Sequence, residues 1–195
     1  MRNFALVLVV ALALCLAACD FNGGVEQGRC VAYNPDEKTV TLVVDTTLDQ
    51  HNPHYNGGVH VFKLPENPLD MGPAPVAGGL LMVQPDKNLV LYYDRETGTV
   101  KEMPIEMVAE EKGVNAKSPS VKGKTFPVID KAKGTVTVYS PRLEELLTFK
   151  VSPEALELPA YTWELGDEVR IAIRKDQPGH AIRFMNVSKT SIFTR

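Results

Sequence analysis

The sequence predicts an all-β fold made of two related small barrels, and three observations support this prediction. Three turn segments of one type recur, each opened by Asn or Asp and flanked by short runs rich in β-branched residues. Similar strand-like runs then follow in the same order in both halves of the chain. Beyond the N-terminal leader, helix signals are confined to a few short segments.

The N-terminal leader, residues 1–18, has the features of a secretory signal peptide. One basic residue, Arg2, precedes thirteen unbroken apolar residues, Phe4 to Leu16. As a helix this run would be about 20 Å long, which is shorter than the ~30 Å hydrocarbon core of a bilayer. The leader is therefore predicted to be a cleaved export signal and not a membrane span.

The end of the leader, Leu16-Ala17-Ala18-Cys19, resembles the lipobox of bacterial lipoproteins. This resemblance implies that the thiol of Cys19 receives a diacylglyceryl group, that the leader is cut before it, and that the new amine is acylated. Several acyl chains would hold the protein stably on a membrane. In enteric bacteria an aspartate after this cysteine, here Asp20, favours the inner membrane. We therefore expect a lipid-anchored protein of the cell envelope that faces the periplasm.

Composition excludes some partners and leaves the fold without a disulfide. The formal charge is −3, and loss of the leader removes one further positive charge, Arg2. A mildly acidic exported chain without a basic patch is a poor ligand for nucleic acid and for anionic lipid. No second apolar run approaches membrane-spanning length, so the membrane contact should be the lipid anchor alone. Cys15 leaves with the leader and Cys19 is the anchor. Cys30 then has no partner and is predicted to be a buried apolar residue.

The mature chain divides by pattern into a tether, two β modules and a linker. Residues 19–28 are predicted to be a lipidated tether, residues 29–103 the first module and residues 124–195 the second. Between them lies the linker over residues 104–123. Its first part, residues 104–113, has proline near its start and glycine after its end, which predicts a short helix.

Turn signals define the hairpins within the modules. The three recurring turn segments are Asn34 to Lys38, Asp94 to Gly98 and Asp130 to Gly134. Residues 140–147 favour a further hairpin, although their propensity also suits a helix. Ser152-Pro153-Glu154 predicts a capped helical turn.

The second module is similar in pattern to the small OB-like β-barrels of exported bacterial proteins. The similarity includes its Gly-Thr-Val-Thr-Val hairpin and the Gly166-Asp167 turn before Val169-Arg170-Ile171. It implies a five-stranded barrel in each module. The alternative is a single β-sandwich that spans both halves.

Three histidines, His51, His54 and His60, lie close together in the first module. Some OB-like exported proteins bind copper through histidine and methionine, and Met71 and Met82 follow here. Imidazole and thioether together favour monovalent copper. However, a histidine pair in a loop rich in Pro, Asn and Gly is more often a solvated surface. A copper or zinc site at these histidines is therefore kept as the alternative function.

The sequence favours a binding or scaffolding role over catalysis. It contains no Gly-x-Ser-x-Gly elbow, and no serine stands beside a histidine and an acid that could activate it. The aromatic residues of the second module are predicted to form its core, with a peptide- or glycan-binding face as the alternative. Exposure of Trp163 on a concave surface would favour that face. The predicted partners are the membrane and an unknown envelope protein or ligand, without a cofactor.

Overall fold

The computed structural model describes residues 23–47, 49 and 52–190, which form twelve strands joined by turns. The strands are β1 (Gly23–Asn34), β2 (Thr39–Asp45), β3 (Val59–Lys63), β4 (Leu80–Gln84), β5 (Leu89–Asp94), β6 (Thr99–Pro104), β7 (Glu106–Lys112), β8 (Val128–Asp130), β9 (Thr135–Ser140), β10 (Glu145–Lys150), β11 (Glu168–Arg174) and β12 (Gln177–Asn186). A single α-helical turn, α1 (Pro153–Leu156), lies in the described part of the chain. Three short 3₁₀ turns cover Pro68–Asp70, Pro85–Lys87 and Ala160–Trp163.

Five strands close a small barrel in the order β1-β11-β12-β3-β2. Neighbouring strands are antiparallel except β12 and β3, which meet in parallel at His180 and Lys63. Alternate side chains point into the barrel, because successive residues of a strand face opposite sides of the sheet. The interior is filled by small and large apolar side chains: Cys30, Val40, Leu42, Phe62, Val169, Ile171 and Phe184.

The chain between β3 and β11 forms a β-sandwich that is inserted into the barrel. One sheet has the order β4-β5-β6 and the other the order β7-β10-β9-β8. Side chains of both sheets share one core, which includes Leu80, Val90, Val136, Phe149 and Trp163. A further buried cluster joins barrel and sandwich, with Val31, Val43 and Tyr55 on one side and Leu81 of β4 on the other.

The predicted hairpins and the predicted capped turn are confirmed. In each of the three recurring turns the side chain of the opening residue, Asn34, Asp94 or Asp130, accepts hydrogen bonds from backbone amides of its own turn. Residues 140–147 form the β9–β10 hairpin and not a helix. The Ser152 hydroxyl accepts from the amide of Ala155 and caps α1.

The all-β class, with a small closed barrel and few helical turns, is confirmed, but the strands are partitioned differently from the expected two barrels. The described residues contain one closed barrel, and it draws β1, β2 and β3 from the first half and β11 and β12 from the second. The runs around Phe62-Lys63 and Phe149-Lys150, which correspond in the order of the two halves, lie in different sheets: β3 is in the barrel, whereas β10 is in the sandwich. The alternation of apolar and polar residues in a strand indicates which of its faces is buried. It does not indicate which strand pairs with it.

Two expectations for segments outside the modules, the linker and the tether, are wrong. Residues 106–112 form strand β7, which pairs with β10, and not a short helix. Pairing with the neighbouring strand β10 outweighs the helix propensity of Glu, Met, Ala and Lys, because propensity is a weak preference that tertiary contacts override. The tether also ends earlier than expected, because residues 23–28 belong to β1 and pair with β11 from Gly23 onward.

The leader and the lipobox cysteine, Cys19, lie outside the described residues. Within the described chain no helix is both long enough and apolar enough to cross a membrane. Cys30 is fully buried in the barrel as a free thiol, as predicted.

Candidate functional site

An open cleft of about 920 Å³ lies where the barrel meets the sandwich. Its barrel side is formed by Arg29 of β1, Asp167 just before β11, and residues 187–190 after β12. Its sandwich side is formed by residues around Val138 and Arg142. Ligand sites of soluble proteins are commonly clefts of this size at the junction of two structural units.

Arg29 connects three segments at the floor of the cleft. Its guanidinium donates to the carbonyl of Gly166 at 2.9 Å and to that of Leu81 at 3.1 Å. Only 6% of the residue is exposed. The guanidinium also lies 5.4 Å from the ring centre of Tyr55, within cation–π range. Arg29 therefore holds the barrel, the chain before β11 and the sandwich together.

Glu168 is fully buried behind the cleft, and three polar side chains approach its carboxylate. Its Oε2 accepts a hydrogen bond from the Tyr55 hydroxyl at 3.0 Å. The same oxygen lies 3.4 Å from Nη1 of Arg142 and 3.8 Å from Nε of Arg29. Two guanidiniums thus face one carboxylate.

The protonation states of this cluster follow from its burial together with the neighbouring polar and charged groups. Burial alone would lower the pKa of Arg29, but Tyr55 and Glu168 outweigh it and the net shift is upward. Burial raises the pKa of Tyr55, and the nearby Glu168 raises it further although Arg29 opposes. At neutral pH the phenol therefore keeps its proton and can donate to Glu168.

Several polar atoms that line the cleft or lie directly behind it have no hydrogen-bond partner among the described residues. They are Nε and Nη2 of Arg142, Nε1 of Trp163, Nε of Arg29 and Oε1 of Glu168. Nε of Arg29 has only a long ion pair, at 3.8 Å from Oε2 of Glu168. A buried polar group without a partner costs about 1–3 kcal/mol, and a charged one more. Most of these atoms are donors, so the cleft is chemically suited to a group that accepts hydrogen bonds.

Residues 21–195 match the family described as a domain of unknown function, DUF4881. The chain belongs to the DUF4881 family. No curated protein and no solved structure matches it.

In this DUF4881 chain, the predicted metal residues are not brought together as far as the structure describes them. His54 is exposed, and its backbone amide donates to Asp45. His60 lies on β3, where Nδ1 is 2.6 Å from a carboxylate oxygen of Glu26. His51 lies outside the described residues. The described chain holds no group of three or more His, Cys, Asp or Glu residues that could bind a metal ion, so the metal site stays a prediction.

The aromatic residues of the second half of the chain are mainly structural. Trp163 and Phe149 are fully buried in the sandwich core, with ring centres 6.1 Å apart. Tyr161 donates to the carbonyl of Val31, and the Arg95 guanidinium covers its ring. Trp163 thus offers no exposed stacking surface, so the alternative, a peptide- or glycan-binding face, cannot use it.

Sequence reasoning did not single out the residues of the buried cluster. Tyr55 and Glu168 are 113 positions apart, and Arg29 and Gly166 are 137 apart, so no local motif contains them. The available signal was a charge placed inside a strand-like apolar run. Arg29 directly precedes Cys30-Val31, and Glu168 precedes Val169. A charged side chain at such a position is rarely buried unless it pairs with an oppositely charged or hydrogen-bonding group.

Proposed function

We propose that this protein is a lipid-anchored, non-catalytic binding protein of the bacterial cell envelope whose cleft holds a small ligand. The cleft at the barrel–sandwich junction is the observation on which the binding role rests, because it combines a suitable volume with partnerless buried donors. The lipobox-like end of the leader supports the anchor at Cys19.

The anchor would hold the cleft close to the membrane. Cys19 is four positions before Gly23, where β1 begins. A fully extended chain spans at most about 3.6 Å per residue, so the barrel would start within about 14 Å of the lipidated cysteine. The protein would then sample molecules at the membrane surface and not in the bulk of the periplasm.

Binding suits the cleft better than catalysis because Tyr55 and Glu168, the titratable groups buried behind it, are engaged with one another and with the arginines. Tyr55 donates to Glu168, and its raised pKa makes it a poor base or nucleophile at neutral pH. Glu168 faces two guanidiniums and is not exposed. Groups held in this way position Arg29 and Arg142 and are poorly placed to exchange protons with a bound molecule.

The anchor is tested by Cys19→Ser, with Cys15→Ser in the same leader as the matched control. The Cys19 variant should keep its leader, migrate as the larger precursor and fail to incorporate labelled palmitate, whereas the control should behave as wild type. Membrane-bound Cys19→Ser protein of normal mature size would contradict the anchor.

The binding role is tested by closing the cleft with Val76→Phe. Val76 lines the cleft with an exposed side chain, and its contacts with Asp167 are made by the backbone and survive substitution. Val108→Phe, at an exposed position of β7, is the control.

Small molecules that accompany protein purified from membranes would be identified by mass spectrometry. At least one should be present with wild type and with Val108→Phe and be depleted with Val76→Phe. Identical profiles for all three proteins would contradict the proposed function.

A further inference from the structure

Arg142 is the side chain of the cleft whose hydrogen-bond donors are least satisfied by the residues around it. It lies in the β9–β10 turn with its side chain only 16% exposed. It donates no hydrogen bond to any described residue, and its nearest charged partner is Glu168 at 3.4 Å. A guanidinium carries five donors in a rigid planar fork. Holding such a group partly buried and without hydrogen bonds costs free energy that a bound acceptor would recover.

The charges around Arg142 leave it available for an anion. Glu168 is shared with Arg29 and with the Tyr55 hydroxyl, so it cannot neutralise both guanidiniums. At the rim, Asp167 is already engaged by Lys189 at 3.2 Å. The remaining acid of the lining, Glu164, forms no ion pair with a described residue.

The other walls of the cleft are apolar. Phe126, Pro127 and Val138 line it together with the ring of Tyr139, which is half-buried. Apolar walls favour an organic body and disfavour a small hydrated inorganic ion. The combination of apolar walls with one unsatisfied guanidinium favours a molecule that has an apolar body and an anionic end group.

We propose that the cleft takes a small amphipathic carboxylate whose carboxylate group pairs with the guanidinium of Arg142. This proposal rests on the proposed binding function and names its ligand class. The apolar body lies along Phe126, Pro127 and Val138. The planar carboxylate matches the fork of the guanidinium and can accept two parallel hydrogen bonds. Because Arg142 donates no hydrogen bond to the described chain, its end group can turn toward the ligand without breaking one.

The test uses 4-phenylbutyrate as probe, its neutral amide as matched compound, and the fluorescence of Trp163 as readout. Trp163 is the single tryptophan of the sequence and lies in the cleft wall, so its emission reports on the site directly. Mature protein purified from membranes in a non-ionic detergent would be titrated with both compounds.

We expect saturable binding of phenylbutyrate, with the amide at least about tenfold weaker because a charge-assisted pair is lost. Equal affinity for the two compounds would overturn the carboxylate proposal while leaving a binding cleft in place. Saturation by inorganic phosphate at lower concentration than by phenylbutyrate would overturn it as well. No saturable change with either organic compound would also overturn it, and the cleft-closing comparison at Val76 then decides the proposed function separately.

Variants separate a ligand contact from a purely structural role. Arg142→Gln should weaken phenylbutyrate at least about tenfold and leave the amide unchanged. Arg142→Lys keeps the charge beside Glu168 but loses the fork, so it should restore stability more fully than affinity. Arg183→Gln, an exposed arginine of β12 away from the cleft, is the control. Unchanged discrimination between acid and amide in both Arg142 variants would overturn the proposal.

Residues 191–195 follow directly on the cleft wall at Thr190, so a chain that ends at Thr190 completes the test. Equal phenylbutyrate affinity with and without this segment supports an external ligand. Binding that appears only after truncation would mean that the chain's own end occupies the cleft, which overturns the proposal.

Discussion

At the scale of single residues, Glu168 is the side chain on which the buried polar cluster depends. Glu168→Gln keeps the shape of the side chain but leaves Arg29 and Arg142 facing each other without a carboxylate. Removing one member of a buried ion pair costs about 3–5 kcal/mol. We expect the free energy of unfolding, measured in urea at pH 7, to fall by about 3 kcal/mol.

The matched control for this substitution is Glu111→Gln on the exposed strand β7. A surface change of this kind should stay within about 0.5 kcal/mol. If both variants unfold at the wild-type urea concentration, the carboxylate of Glu168 contributes nothing to stability, and water must solvate the charges of the cluster.

Cys30 gives the barrel interior a dependence on alkaline pH. Burial raises the pKa of its thiol from 9.0 to about 12. Above pH 9 the unfolded chain loses this proton while the folded chain keeps it, so folding stability decreases as pH rises toward 12. The loss amounts to at most about 1.4 kcal/mol for each pH unit in that window.

Urea unfolding at pH 8 and pH 10 checks this expectation, with Cys30→Ala as the comparison. Wild type should lose about 1 kcal/mol more than the variant between the two pH values. Equal losses would show that the thiol titrates normally. Burial also raises the pKa of Tyr161 to about 12, so a general decline at higher pH is expected in both proteins.

At the scale of elements, hairpins could be predicted from the sequence because they are local. Asn34, Asp94 and Asp130 each organise a turn within a few residues of themselves, and that chemistry can be read directly from the chain. Strand β7 could not be predicted in this way. Its residues are good helix formers, and only the distant strand β10 makes an extended conformation favourable there.

The contact of β1 with the segments that lead into and out of the sandwich depends on glycines that admit close backbone approach. A Cβ atom at Gly166 would lie 2.1 Å from the carbonyl oxygen of Cys30, which is well inside van der Waals contact. The same carbonyl accepts from the amide of Gly78 at 3.1 Å. Gly166 therefore fixes how closely the chain before β11 lies against β1 beside the cleft.

Gly166→Ala should consequently destabilise the fold by about 3 kcal/mol, since overpacking against backbone cannot be relieved by a side-chain rotation. Gly179→Ala provides the comparison, because no heavy atom lies within 4 Å of a Cβ at that position. Thermal unfolding of both variants checks this. A Gly166→Ala protein as stable as Gly179→Ala would mean that β1 and β11 can separate without cost.

At the scale of the whole molecule, the all-β class was predictable but the topology was not. Alternating apolar residues revealed nearly all of the strands, yet β1 to β3 and β11 to β12 give no local indication that they belong together. The cleft was unpredictable for the same reason. Its arginines come from β1 and from the β9–β10 turn, which meet only after the chain has folded.

Barrel and sandwich should unfold as a single unit, because Arg29 and the cluster of Val31, Val43, Tyr55 and Leu81 join them. Trp163 fluorescence reports on the sandwich core. The reactivity of the Cys30 thiol with an alkylating reagent reports on the barrel interior. Both probes should give the same urea midpoint. Two separated midpoints would show that the two units fold independently.

The insertion of the sandwich into the barrel also determines when the barrel can form during synthesis. Strands β1, β2 and β3 emerge first but must wait for β11 and β12, the last two strands of the described chain. At about 5–20 residues per second, the roughly one hundred residues between them take about 5–20 seconds to appear. During that interval the first three strands have no closing partner, and the nascent chain stays open. For a protein that we expect to be exported behind a cleaved leader, this delay keeps the polypeptide unfolded enough to pass through an export channel until nearly all of it has been made.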